Sequence, residues 1–259
     1  MSGGSHIPVA APIDTDSAGR GGPIAMHSVM RVICQQIDSQ GTGFLHRSGH
    51  VLTAEHVVRG CSNAVLLLSN LSQVQARVVA TDAELDLAIL VPATPITVAS
   101  LPLSSASQLA IGAHVSTWGY PGGYSGAGPM LSAGYLSALD AFQLGNRVVK
   151  KWVVNAAFNS GNSGGPLLHI ETGEVIGVVS SKLAPISQFA EGVLAALEGQ
   201  DSGFMWDVTK SDGSVAQMSE GQIVGVVLKE LRGLVQLVIG YAATADDLRA
   251  FLSANNIAP

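Results

Sequence analysis

Three short segments carry residue types that could do chemistry together. GTGFL at 41–45 leads into TAEHV, with His56 near its centre; Asp82 and Asp86 bracket a turn before LAIL; and GNSGGP, residues 161–166, sets Ser163 among glycines. A serine hydroxyl is nearly inert at neutral pH and attacks a carbonyl only when an adjacent base takes its proton. Histidine is the side chain whose pKa suits that task. A buried carboxylate then holds the imidazole in the right tautomer and stabilises the imidazolium. The developing oxyanion needs backbone donors, and small residues beside the serine let the main chain approach. Gly161 and Ser163 can supply those N–H groups, each worth about 3–4 kcal/mol in a transition state.

Each segment alone has a plainer explanation. A lone His after an apolar run is usually structural, an Asp before a strand is usually a turn residue, and Gly-rich loops also cradle phosphates. Here no Lys follows the loop in the phosphate-binding arrangement, and no strand–Gly–helix pattern with an acidic partner appears. The histidines at 6, 27, 46, 50, 56, 114 and 169 do not combine with Cys or carboxylates at metal-ligand spacing, so no metal and no cofactor is expected. His46 and His50 stand four apart but flank a Gly-containing turn rather than a helix face. Only the three segments taken together point to one chemistry.

The elements that must position them read as strands. From His27 to Val91, short apolar runs with β-branched residues alternate with Gly, Ser and Asp. The connector Pro92–Pro102 carries three prolines. A second set follows at Ala113–Trp118, Met130–Leu136, Val148–Asn155, Gly165–Ile170 and Val175–Ser180. Two blocks of about six short strands suggest paired barrels that each close to remove exposed edges. From Ile186 the pattern changes: Ile186, Phe189, Val193, Leu194 and Leu197 fall on one helix face. Ser219–Gln222 has the form of a capping box, and Ile223, Val227, Leu231 and Leu234 fit either a second helix or, given the valines, a strand. Val235–Ala242 reads as a strand, and Thr244–Asp247 caps a last helix carrying Leu248, Phe251 and Leu252.

TAEHV, DLAIL and GNSGGP together resemble the trypsin-like serine peptidases. The segments Gly41–Phe44, Gly119–Gly122, Asn155–Ser160 and Ile239–Ala242 resemble most the HtrA/Deg branch. The chain order His, Asp, Ser is that family's order and not that of subtilisins or α/β-hydrolases. The resemblance covers roughly residues 27–182 and 235–254. It implies an all-β fold, the chymotrypsin-like double six-stranded β-barrel, with a helical insertion near the specificity pocket and a C-terminal helix. It implies His56 as general base, Asp86 as its orienting carboxylate with Asp82 as the rival, Ser163 as nucleophile, and Gly161 and Ser163 as the oxyanion hole. The activity implied is endopeptidase cleavage of polypeptides through an acyl-enzyme. A chymotrypsin-fold binding or scaffold module and an esterase-like acyl hydrolase are the alternatives.

The same resemblance places Ala157, six before the nucleophile, at the base of the primary specificity pocket, with Phe158 beside it filling space. Ser180 aligns with the segment that pairs with substrate backbone, and Lys182 with the pocket mouth. Without a carboxylate at the base, cleavage is expected after small or medium aliphatic residues. The sequence departs from its relatives at three places. Asn162 stands where digestive trypsins carry an Asp, no PDZ domain follows the last strand, and 183–234 is inserted between two strands that wall the pocket.

Composition bounds the rest. Charged residues make up 12% of 259, about half the average for soluble proteins, and the net charge is −6. The 13 Lys and Arg are scattered, so neither nucleic acid nor anionic lipid is an expected partner. Residues 1–25 read as a flexible tail lacking the cationic start and apolar core of a secretory signal. Ile223–Ala243 is too interrupted by charge to span a membrane. The peptidase domain is then 26–182 plus 235–259, with a first barrel at about 27–100 and a second at 108–182 plus 235–243. The 183–234 insertion is expected to be largely helical and is a candidate surface for self-association or a protein partner. The two cysteines, Cys34 and Cys61, are too few for a disulfide framework and read as buried free thiols, which suits a cytoplasmic protein.

Overall fold

The structure is a computed structural model, and it describes residues 20–105, 109–144, 146–156, 158–159, 161–180, 205–209, 215–234 and 239–259. It divides into two units. One contains residues up to Lys182 together with Leu237–Pro259, and the other is Leu183–Gln236.

The first unit holds two barrels. Strands β1 (Val29–Cys34), β2 (Ser39–Leu45), β3 (Val51–Thr53), β4 (Asn63–Leu67), β5 (Gln73–Asp82) and β6 (Leu87–Pro92) close antiparallel in the order β1-β2-β3-β6-β5-β4. Strands β7 (His114–Gly119), β8 (Met130–Leu144), β9 (Arg147–Asn155), β10 (Pro166–His169), β11 (Val175–Ser180) and β14 (Ile239–Thr244) close in the order β7-β8-β9-β14-β11-β10. This is the chymotrypsin-like double barrel that the resemblance implied, and the two blocks of short apolar runs supply its strands. Each barrel has its own packed interior. Met30, Val32, Val51, Leu66 and Leu90 fill the first, and Val115, Leu136, Trp152, Val154, Leu167 and Ile176 fill the second. A further cluster joins them, with Phe44, Leu52 and Leu87 from one barrel meeting Trp118, Tyr120 and Val178 from the other. Each fully buried side chain of this kind contributes about 1.5–3 kcal/mol, so the barrels are held by a hydrophobic seam.

Two helices bracket this unit. Residues 22–25, read from sequence as tail, instead open helix α1 (Gly22–Ser28), with Pro23 in its first turn and Ala25 fully buried. Proline there loses nothing, because its missing N–H has no intrahelical partner. The last helix, α4 (Ala245–Ala254), starts at Thr244, whose Oγ1 accepts from Asp247 N at 3.2 Å. Leu248, Phe251 and Leu252 are buried along one face, as their spacing predicts.

The second unit is described by a hairpin, β12 (Met205–Thr209) with β13 (Val215–Ser219), and by helix α3 (Glu220–Leu234). The capping box forms: Ser219 N donates to Gln222 Oε1 at 2.9 Å and Gln222 N to Ser219 Oγ at 3.3 Å. The Val-rich stretch is therefore a helix. The hairpin ahead of it departs from a largely helical insertion, while the helix expected from Ile186 lies outside the described residues. No helix among the described residues is long and apolar enough to cross a membrane.

The cysteines correct another expectation. Cys34, at the end of β1, and Cys61, just past the turn that carries His56, form a disulfide with Cα atoms 6.2 Å apart. A low cysteine count gave no sign that barrel closure brings the two together. The closed loop spans 27 residues, and such a cross-link restricts the unfolded chain by about 2–4 kcal/mol. Replacing both cysteines with Ala is expected to lower unfolding free energy by that amount. Urea midpoints measured beside the oxidised parent check it.

Candidate active site

His56 sits in α2 (Glu55–Val58), a single helical turn after β3. Its backbone N–H donates to Asp86 Oδ1 at 3.0 Å, and its Nδ1 lies 2.9 Å from both Asp86 oxygens. The ring is partly open to solvent, with 28% of the side chain exposed, while the Asp86 side chain is fully covered. Asp86 is held at φ +62°, in the left-handed region that non-glycine residues rarely enter. Ser180 at the end of β11 donates its hydroxyl to Asp86 Oδ2. Burial by itself pushes the Asp86 carboxyl up, but the His56 ring, the Ser180 hydroxyl and the His56 N–H outweigh it. They hold the group well below the usual carboxylate range.

Asp82, the rival carboxylate, is used elsewhere. Its Oδ1 accepts from Glu84 N at 3.0 Å and Leu85 N at 2.9 Å, closing the turn that delivers Asp86. Its Oδ2 takes Arg147 Nη1 at 2.7 Å. Lys151, almost fully buried, donates Nζ to Leu85 O at 2.9 Å. The turn before Asp86 is thus clamped by two cations from β9 of the other barrel.

Ser163 lies on the second barrel, in the loop between β9 and β10, and is 3% exposed. Gly161 and Gly164 on either side have φ +96° and +85°. A Cβ on Gly161 would strike the Tyr120 carbonyl oxygen, and one on Gly164 the Thr42 carbonyl oxygen. Both positions therefore need glycine for conformation and for space. Thr42 N donates to Ser163 O at 2.8 Å, bonding the serine loop to β2.

Phe158 is buried against Gly240, where an added Cβ would collide with the ring. It packs in the second barrel's cluster with Val154, Ala156, Val179 and Ala242. Ala157 and Lys182 lie outside the described residues. Ser180 sits in β11 with its backbone paired to Tyr241, but its hydroxyl is engaged by Asp86. Sequence reasoning missed that bond, and it missed Thr42, Arg147 and Lys151. Lys151 did leave a signal: Lys150 and Lys151 are adjacent on a strand, so their side chains point to opposite faces and one must point inward. Among the described residues no cluster of three or more His, Cys, Asp or Glu could hold a metal ion.

Known proteins share the family and the fold. Residues 41–178, more than half of the chain, match the trypsin-like peptidase domain family. The chain is 31% identical over 199 residues to a probable periplasmic serine endoprotease DegP-like of Hahella chejuensis, covering 76% of this chain and 41% of that protein. It is 32% identical over 200 residues to a protein of the same description in a Marinomonas species, again covering 76% and 41%. The chain thus spans about two fifths of the length of these relatives. Two solved structures share the fold at low identity. One is the Rv3671c protease in its inactive form (20% identity, TM-score 0.60, covering 96% of this chain and 98% of that one). The other is the HtrA-type protease AlgW with a tripeptide (21% identity, TM-score 0.60, covering 91% and 61%). The relatives are named periplasmic, which overturns the expectation of a cytoplasmic protein; that expectation rested on a sequence reading that found no secretory signal or membrane span and on unpaired cysteines, and the cysteines are paired. The double barrel, the His, Asp and Ser segments and the matched residues lead to one assignment: the chain belongs to the trypsin-like peptidase domain family.

Proposed function

We propose that this chain is a serine endopeptidase in which His56, Asp86 and Ser163 act as the triad. The observation that carries the reading is the fully covered Asp86 carboxylate bonded to His56 Nδ1, on the barrel whose strand β2 is hydrogen-bonded through Thr42 to the Ser163 loop. Asp86 fixes the proton on Nδ1, leaving Nε2 as the base that takes the Ser163 proton during attack on the peptide carbonyl. Gly161 and Ser163 N–H groups stabilise the oxyanion, and His56 returns the proton to the leaving amine. Water then repeats the sequence on the acyl-enzyme. The periplasm of the named relatives, an oxidising compartment in which a disulfide persists, is the proposed location.

The substrate is a polypeptide cut after a small or medium aliphatic residue. The support for this is that Phe158, packed on Gly240, fills space beside the position the resemblance gives to the pocket base, and that Ala157 there offers no charge for a cation. Reaction of Ser163 with a fluorophosphonate probe tests for a working nucleophile, and a peptide library separates a peptidase from an esterase. The expected profile is Ala, Val or Leu before the cut, with little Arg, Lys or Asp. Phe158→Ala is expected to raise kcat/KM for Phe relative to Ala at that position by about tenfold, since pocket volume is worth about that much per group added. A profile dominated by Arg or Lys would contradict the argument from pocket charge.

A further inference from the structure

One buried hydroxyl both donates and accepts a hydrogen bond between the barrels. Thr42, on β2 and fully buried, donates Oγ1–H to Gly161 O at 2.6 Å and accepts from Tyr120 N at 3.0 Å. Its own N–H donates to Ser163 O at 2.8 Å, and its carbonyl accepts from Thr53 Oγ1 at 2.6 Å. Thr42 therefore holds the carbonyls of both residues whose N–H groups would form the oxyanion hole, Gly161 through its side chain and Ser163 through its backbone. The site is built for the contact. A Cβ on Gly119 would lie 3.0 Å from Thr42 Oγ1 and 2.6 Å from Asn162 Oδ1. With φ +96°, Gly161 has no side chain to restrict its peptide planes, so the plane between Gly161 and Asn162 is held at its two ends, by Thr42 on the Gly161 carbonyl and by Asn159 O, which accepts from Asn162 N at 3.0 Å within the loop itself; Thr42 supplies the restraint that comes from the other barrel.

We infer that Thr42 is the positioning residue of the oxyanion hole, its hydroxyl on the first barrel fixing the peptide planes of the Gly161–Ser163 loop on the second. It touches no substrate and acts through Gly161. Two other observations were weaker. The cleft of about 480 Å³ behind the His56 turn, lined by Glu55, Arg59 and Arg77, is open, and its buried carboxylate, Glu55, is already paired with Arg59. The exposed apolar residues Leu139, Leu144 and Val148 on the β8–β9 hairpin come with nothing that identifies an occupant.

The inference rests on the proposed peptidase reading, and its test keeps the two apart. Thr42→Ser and Thr42→Ala differ by one oxygen. With a small chromogenic peptide whose P1 residue is Ala or Val, the Ser variant is expected within threefold of the parent. The Ala variant is expected to lose on the order of 10²-fold in kcat, the scale of a misplaced catalytic geometry, with KM within threefold. Inhibition by a peptidyl boronate, whose tetrahedral adduct places an oxygen in the hole, should weaken by the same factor as kcat. Ala and Ser variants of equal kcat and equal boronate affinity would overturn the inference. So would an Ala variant that fails to fold at the assay temperature while the Ser variant folds, because the hydroxyl would then serve stability alone. A parent protein inert to both fluorophosphonate and boronate would instead remove the peptidase reading itself.

Discussion

Ser163→Ala is expected to lower turnover of a cleavable peptide by about four to six orders of magnitude, because nucleophile, base and orienting carboxylate act as a unit. His56→Ala should be about as severe, and the two together little worse than either. The loss belongs in kcat, since neither side chain is needed to seat an extended peptide. Steady-state kinetics on protein whose melting temperature matches the parent would measure it. Retention of more than a tenth of parental turnover in Ser163→Ala would remove the nucleophile assignment.

Asp86→Asn is expected to cost on the order of 10⁴ in kcat while leaving the barrels folded. An amide facing Nδ1 presents N–H where the carboxylate presented a lone pair. The imidazole then carries its proton on Nε2 and cannot accept from Ser163. The same change alters acid stability. The folded carboxyl titrates below its ordinary 3.8, so around that pH the unfolded chain binds a proton that the native state does not. The stability supplied by the ion is complete above pH 3.8 and is lost as pH falls through the lower folded value. Melting temperature should therefore drop more steeply below about pH 4 in the parent than in Asp86→Asn. Parallel pH–melting curves from the two proteins would remove the electrostatic role given to His56 and Ser180.

Much of this site was legible in the chain because its chemistry is local. TAEHV, DLAIL and GNSGGP each place one functional side chain in a fixed short context, and β-branched runs mark most of the strands. What escaped was set by pairing across the sheet. Residues 137–144, SALDAFQL, have no β-branched residue, yet they extend β8 because Ala138–Leu144 pair with Arg147–Val153. Strand preference there comes from the partner and not from the residues. The hairpin Met205–Thr209 with Val215–Ser219 is too short to stand out from the polar segments around it. The bonds from Ser180 to Asp86 and from Thr42 to Gly161 span 94 and 119 residues. No local pattern records a contact that the two barrels make only when they meet. The disulfide escaped because its cysteines meet only when β1 and β4 pair within the first barrel, and a count of two says nothing about distance.

Strand β14 carries a consequence for synthesis. It lies between β9 and β11, so the second barrel is two open sheet edges until residues 239–244 have left the ribosome. The Ser163 loop and Val175–Ser180 emerge long before that. A chain that ends anywhere in 183–236 therefore holds every strand of the first barrel but lacks one strand of the second. Contacts at such sequence separation form slowly, because the intervening chain must be ordered before they repay its entropy. The barrel that carries the Ser163 loop is therefore the later of the two to close. The same interval leaves unpaired edges open to aggregation, which makes the time between Ser180 and Thr244 the vulnerable stage of this protein's assembly.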